Sequence, residues 1–120
     1  MRVLVCGDRN WTNKALIKRF LESSGATLVI HGGCRGADKI AGELSRELGL
    51  SEIECPANWQ EHGKAAGPIR NRQMLSHRPA MVIAFHNDIQ KSKGTKDMIN
   101  AAKAAGIPVR LIGGPVKAWP

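Results

Sequence analysis

The strongest constraint on this chain is a pattern that its first half states twice: an apolar run, a glycine-containing loop, then a helical apolar stripe. Val3–Cys6 is apolar without a period and Gly7 closes it, which suits a strand buried on both faces of a parallel sheet. From Thr12, a candidate N-cap, the residues Ala15, Leu16, Ile17, Phe20 and Leu21 fall on one helical face, and Gly25 stands where a C-cap is expected. Thr27–His31 then reads as a second strand and Gly32–Gly36 as a glycine-rich loop. Ala37, Ile40, Ala41, Leu44 and Leu48 form a second helical stripe ending at Gly49. Asp38 at the start of that helix suits the positive end of its dipole.

The second half continues the alternation. Ile53–Cys55 predicts a short third strand closed by Pro56, and residues 57–68 an irregular polar stretch holding Trp59, His62, Gly63 and Gly67. A helix is expected from about Pro68 through Leu75, since proline favours a first turn. Met81–Phe85 predicts the fourth strand, residues 86–94 a polar loop, and Thr95 the N-cap of a helix that buries Met98, Ile99, Ala102 and Ala105. Pro108–Ile112 supplies the fifth strand. Alternating strands and helices imply an α/β fold, a mainly parallel sheet of about five strands with helices on both faces.

With 120 residues, 42% of them hydrophobic, the chain suits one domain, read as residues 1–112 followed by a tail, 113–120. Trp119 in that tail is expected to dock on a partner subunit, giving a homodimer or higher homo-oligomer. The longest apolar runs fall far short of the roughly 20 residues that cross a bilayer, and no cleavable signal is expected after Met1. The expectation is therefore a cytoplasmic protein with no membrane partner. Cys6, Cys34 and Cys55 are odd in number and lack a CxxC spacing, so they read as reduced thiols. His31, His62, His77 and His86 show no metal-ligand spacing. No metal or cofactor is expected. The net charge of +8 and pI near 9.9 point to anionic partners: a phosphate-bearing small molecule, nucleic acid, or both.

In parallel α/β sheets ligands bind beyond the carboxyl ends of the strands. Gly7, Asp8, Arg9 and Trp11 follow the first strand, and His86, Gly94 and Thr95 follow the fourth. Gly32, Gly33, Arg35, Gly36 and Asp38 follow the second, where glycines admit a ligand to the backbone and helix N–H groups face an anion. Arg70 and Asn71, at a helix start, suit phosphate oxygens and ribose or base edges, or else pin the long loop before them. Asp8 and Arg9 suit ribose hydroxyls or pair with each other. Trp11 and Trp59 serve as base-stacking platforms or as packing. His86 is placed to act as an acid or base. Cys34 has no evident histidine partner for a nucleophile's role.

Four segments, 6–11, 31–38, 66–74 and 94–98, together resemble the SLOG superfamily, and within it the bacterial and phage group related to the YspA proteins. Their content is CGDRNW, HGGCRGAD, AGPIRNRQM and GTKDM. The resemblance implies a Rossmann-like fold and binding of a nucleotide or nucleotide-derived ligand, an ADP-ribose-like signal among them, by a sensor or sequestering protein. Relatives include cytokinin-activating phosphoribohydrolases and the single-strand DNA-binding protein of natural transformation, so N-glycosidic hydrolysis and nucleic-acid binding stand as alternatives. The hydrolases carry GGxGTxxE, and counting from Gly94-Thr95 the glutamate's position is Met98. Asp97 lies one residue early, about 100° around the helix. Under the hydrolase alternative, Asp8, Asp38, Asp97 or His86 would supply the acid or base.

Overall fold

The computed structural model describes residues 1–113. Strands β1 (Arg2–Gly7), β2 (Leu28–His31), β3 (Ser51–Glu54), β4 (Met81–Phe85) and β5 (Val109–Ile112) form one sheet in the order β3-β2-β1-β4-β5. Every neighbouring pair is parallel, with Val3 opposite Val29 and Cys6 opposite Ala84. The chain winds outward from β1 to β3, then crosses back to lay β4 on β1's other side. The gap between the loops that follow β1 and β4 is therefore a topological switch point, where a crevice opens.

Among the described residues four helices cover the sheet, α1 (Lys14–Ser24), α2 (Ala37–Glu47), α4 (Ala66–Leu75) and α5 (Lys93–Ala104), while the short α3 (Trp59–His62) buries no residue and packs against α4. Side chains alternate across a strand, and β1 shows why its sequence is an unbroken apolar run. Val3 and Val5 bury against Ile17, Leu21, Ala41 and Leu44 of α1 and α2, while Leu4 and Cys6 bury against Met74, Met98 and Ala102 of α4 and α5. A strand with a core on each face has no polar side to show. Among the described residues no helix is long and apolar enough to cross a membrane.

Local chemistry moves several expected boundaries. Asn13, not Thr12, caps α1, its side chain accepting from Leu16 N at 3.1 Å; Gly25 ends that helix at φ 75° as expected. Thr95 does not cap α5: Ser92 Oγ accepts its N–H at 3.0 Å, and Thr95 is buried within the first turn. Residues 57–68 are largely ordered into helix. Asn58 caps α3 by accepting from Glu61 N, a 3-10 turn follows at Gly63–Ala65, and α4 begins at Ala66. Pro68 still sits in the first turn of α4, where its missing N–H removes no helical bond. Residues 86–94 hold a further 3-10 turn, Ile89–Lys91. The expected tail, and Trp119 with the oligomer contact assigned to it, lie outside the described residues apart from Gly113.

Candidate functional site

The three loops at the carboxyl edge are bound to one another through backbone. Asp8 N donates to Phe85 O at 2.8 Å, joining the loop after β1 to the end of β4, and Asp8 O accepts from Ala37 N at 3.1 Å, joining it to the start of α2. Asp8 Oδ1 meanwhile accepts from Asn10 N at 2.8 Å, closing a tight side-chain turn. This approach is why Gly36 is glycine: its φ is +79°, and a Cβ there would run into the backbone of Asp8 and Arg9.

Asp38 lies beneath the loop after β2, only 5% exposed. Its Oδ2 accepts from Gly32 N at 3.1 Å and from Cys34 N at 3.4 Å. Burial pushes its carboxyl above the ordinary aspartate range, against the pull of the nearby Arg70 charge and of those two amides. Among the described residues its Oδ1 makes no hydrogen bond, yet Asp38 leaves no fully buried oxygen unpaired. That oxygen therefore is not fully enclosed, and Asp38 helps to line the cavity described below.

Arg70 and Asn71 share the first turns of α4 and divide the two roles anticipated for them. Arg70 Nη1 donates to Gly32 O at 3.1 Å and its Nε donates to Asn71 Oδ1 at 3.2 Å. The guanidinium thus pins the loop while lining the cavity. Asn71 bonds inside the protein: its Nδ2 donates to Gly94 O at 3.2 Å and to Asp97 Oδ2 at 3.0 Å. It positions α5 against α4, and among the described residues the second lone pair of its Oδ1 stays free where Asn71 lines the cavity described below. Asp97 also takes both ends of the Arg72 guanidinium, at 2.7 and 3.3 Å. Burial raises its carboxyl, but the Arg72 and Asn71 bonds outweigh that and hold it below the usual range.

A cavity of about 360 Å³ opens above the switch point. Gly7, Asp8 and Arg9 line it from the first loop, Arg35 and Asp38 from the second, Arg70 and Asn71 from α4, and His86, Gly94 and Thr95 from the loop and helix after β4. His86 Nδ1 accepts from Asp88 N at 2.9 Å, which leaves Nε2 as the nitrogen available to a ligand. Arg9 and Arg35 are exposed and have no carboxylate partner among the described residues, and Asp8 and Arg9 do not pair with each other, the alternative to their meeting ribose hydroxyls. The site therefore carries uncompensated positive charge. Cys6 forms part of the floor, where burial and then the Asp38 charge push its thiol upward, so it stays protonated.

Four expected rim residues, Trp11, Gly32, Gly33 and Gly36, do not line this cavity. Trp11 is 5% exposed and packs in the core with its ring 5.6 Å from that of Phe85, while its Nε1 donates to Asn13 O. The indole is large and apolar, and the core face of β4 outcompetes the rim for it. Gly36 is occupied by its contact with the first loop. Gly32 and Gly33 border a second cavity instead, of about 470 Å³, which also includes Trp59. Trp59, which suits either stacking or packing, is flanked by the polar Asn58, Gln60, Glu61 and His62, a signal for exposure, and is 51% exposed.

One cluster has the residue types of a metal site: His31, Glu52 and Glu54 bring ligand atoms within 4.8 Å of one another. The hydrogen bonds argue against it. His31 Nδ1 accepts from Gly33 N at 3.0 Å, which requires its lone pair, so the proton sits on Nε2 and points at Glu52 Oε2, 2.6 Å away. Neither nitrogen has a lone pair free for a metal. Glu52 in turn accepts from Arg46 at 2.6 Å.

Comparison with known proteins agrees with this architecture. The fold matches DNA processing protein A (DprA) from Streptococcus pneumoniae with a TM-score of 0.77 at 16% identity, over 96% of this chain; the chain spans about half, 51%, of that protein's length. In sequence it is 36% identical over 122 residues to the Gene 61 protein of Mycobacterium phage D29, covering 93% of this chain and 96% of the phage protein. Residues 1–62, which hold the loops after β1 and β2, match the model of the YspA, cpYpsA-related SLOG family, and to that family the chain belongs.

Proposed function

We propose that this protein binds a nucleotide or nucleotide-derived ligand in the cavity above the switch point, as a sensor or sequestering protein. One observation carries the reading: Arg9 and Arg35, without acidic partners among the described residues, converge with Arg70 on a cavity into which the first turn of α5 also opens. A helix start and unpaired guanidinium groups together favour phosphate. The carboxyl of Asp38, which lines the same cavity, suits a ribose hydroxyl. Family membership supports nucleotide-related binding in general. Mass spectrometry of small molecules carried through gentle purification, followed by titration calorimetry with the species found, tests the proposal. Recovery of no nucleotide, together with no heat from a panel of nucleoside mono-, di- and triphosphates, would sink it.

A second reading, N-glycosidic or phosphoribosyl hydrolysis, draws on Asp8, Asp38 and His86, which line the cavity, and foremost on Asp38, whose buried carboxyl is pushed upward and suits a general acid. Asp97 does not compete for that role, because Arg72 and Asn71 hold it and it lies outside both cavities. Release of free base or ribose phosphate from the nucleotide panel, lost in Asp38→Asn, would favour this reading. A third, nucleic-acid binding, predicts a steep fall of affinity with salt.

A further inference from the structure

The two cavities share a wall. Arg9, Cys34, Arg35 and Arg70 line both, so the three guanidinium groups stand at the boundary between them instead of along one continuous track. On the far side the second cavity is closed by Pro56, Ala57 and Trp59, an apolar surface. Trp59 opens α3, rests near Gly67, and leaves half of its indole in solvent. An exposed tryptophan costs stability that burial would recover, and a flat indole beside cations suits a planar ring attached to an anion. Glu54 limits what else fits: its carboxylate borders Gly33, where a Cβ would lie 2.9 Å from it, so a second anionic group is disfavoured there. The cavities, about 360 and 470 Å³, each lie toward the small end of the roughly 300–1,000 Å³ of small-molecule sites.

We propose that the second cavity is a subsite for an aromatic ring stacked on Trp59, and that the ligand is a phosphate-bridged dinucleotide. One nucleoside occupies the first cavity, the bridging phosphates lie against Arg9, Arg35 and Arg70, and the second base covers the indole. This rests on the nucleotide reading above and adds to it a second ring and its position.

Calorimetry with ADP and diadenosine diphosphate, and in parallel with GDP and diguanosine diphosphate, tests it on the wild type, Trp59→Ala and Trp59→Phe. The exposed position of Trp59 lets both variants fold, which circular dichroism verifies. The wild type should bind a dinucleotide about tenfold or more tighter than its mononucleotide, as one base stacked on an aromatic ring provides. Trp59→Ala should remove that preference and leave mononucleotide affinity unchanged, and Trp59→Phe should keep most of it. Equal affinity of the wild type for mono- and dinucleotide, or a preference that survives Trp59→Ala, overturns the inference while the nucleotide reading stands. Binding of none of the four overturns both. A deoxyadenosine oligomer that binds more tightly than any dinucleotide, through Trp59 and with a steeper salt dependence, would replace the small ligand with a nucleic-acid strand.

Discussion

Arg70 reaches from α4 across the rim to Gly32, its Nη1 donating to the glycine carbonyl at 3.1 Å, and a Cβ on Gly32 would collide with that guanidinium. The side chain that offers charge to a ligand also holds the ligand's loop in place. Arg70→Ala should therefore weaken nucleotide binding by about 10- to 150-fold, the 1.5–3 kcal/mol of a charged hydrogen bond, and also lower stability by about 1 kcal/mol. Arg9→Ala and Arg35→Ala, which remove exposed guanidinium groups with no described partner, should weaken binding with stability changed by under about 0.5 kcal/mol. Calorimetry and urea melts on the same preparations separate the two quantities. Unchanged binding in all three variants would place the ligand elsewhere.

Asp97 is a joint between α4 and α5. Its carboxylate takes Arg72 at 2.7 Å and Asn71 at 3.0 Å, and it is partly exposed. Water screens the pair, so Asp97→Ala should cost about 1 kcal/mol. The sign of its pH dependence follows from a carboxyl held below its ordinary value of 3.8. A depressed native pKa contributes stability above the unfolded value and loses it as pH falls through the native one. The gap between wild type and Asp97→Ala should thus be full at neutral pH and close below about pH 4. Melting curves across that range check it, and a gap that persists in acid would show that packing, not charge, is lost.

The sheet was legible because β1 cannot serve two cores with anything but an apolar run, and Met81–Phe85 repeats that logic residue for residue. The rim loops were legible because parallel strands deliver their carboxyl ends to one edge. The competition among neighbouring small polar residues was not. Asn13 beats Thr12 as a cap, and Ser92 beats Thr95, on backbone geometry that a residue list does not carry. The inward turn of Trp11 and the α4–α5 joint made by Asn71 were hidden for a related reason: the aromatic face, the carbonyl and the carboxylate that draw them in come from distant parts of the chain.

Asp38 gives a stability change of the opposite sign to Asp97. Its burial raises the native pKa above the ordinary 3.8, so the native state holds the proton more firmly than the unfolded chain. Stability from this group is full below the unfolded pKa and is lost as pH rises through the native one. Asp38→Asn keeps an oxygen for the Gly32 and Cys34 amides but cannot ionise. Its stability relative to wild type should therefore rise as pH climbs from about 4, then level off once the wild-type carboxyl has ionised in the native state. Chemical denaturation at several pH values measures it. A constant difference would mean that Asp38 does not titrate in this range.

The glycines at the rim are not equivalent, and the contrast between Gly36 and Gly94 separates fold from ligand. Gly36 combines φ +79° with a Cβ direction aimed into the backbone of Asp8 and Arg9. Gly36→Ala must strain one loop and displace another, at a cost of about 3 kcal/mol or more. Its loss of binding would say nothing about a ligand. Gly94 lies in the first turn of α5 with helical backbone and no atom within 4 Å of a built Cβ. Alanine there should leave the fold intact and add up to about 1 kcal/mol of helix propensity. The same methyl would stand in the first turn of α5, which lines the cavity and where the Lys93 and Gly94 N–H groups have no helical acceptor. If phosphate lies on those amides, Gly94→Ala should stabilise the protein and weaken nucleotide binding about tenfold, and Gly94→Val should weaken it further. Thermal melts and calorimetry on the two variants check both halves. A more stable Gly94→Ala protein that binds with parental affinity would move the phosphate off α5 and toward Arg9, Arg35 and Arg70 alone.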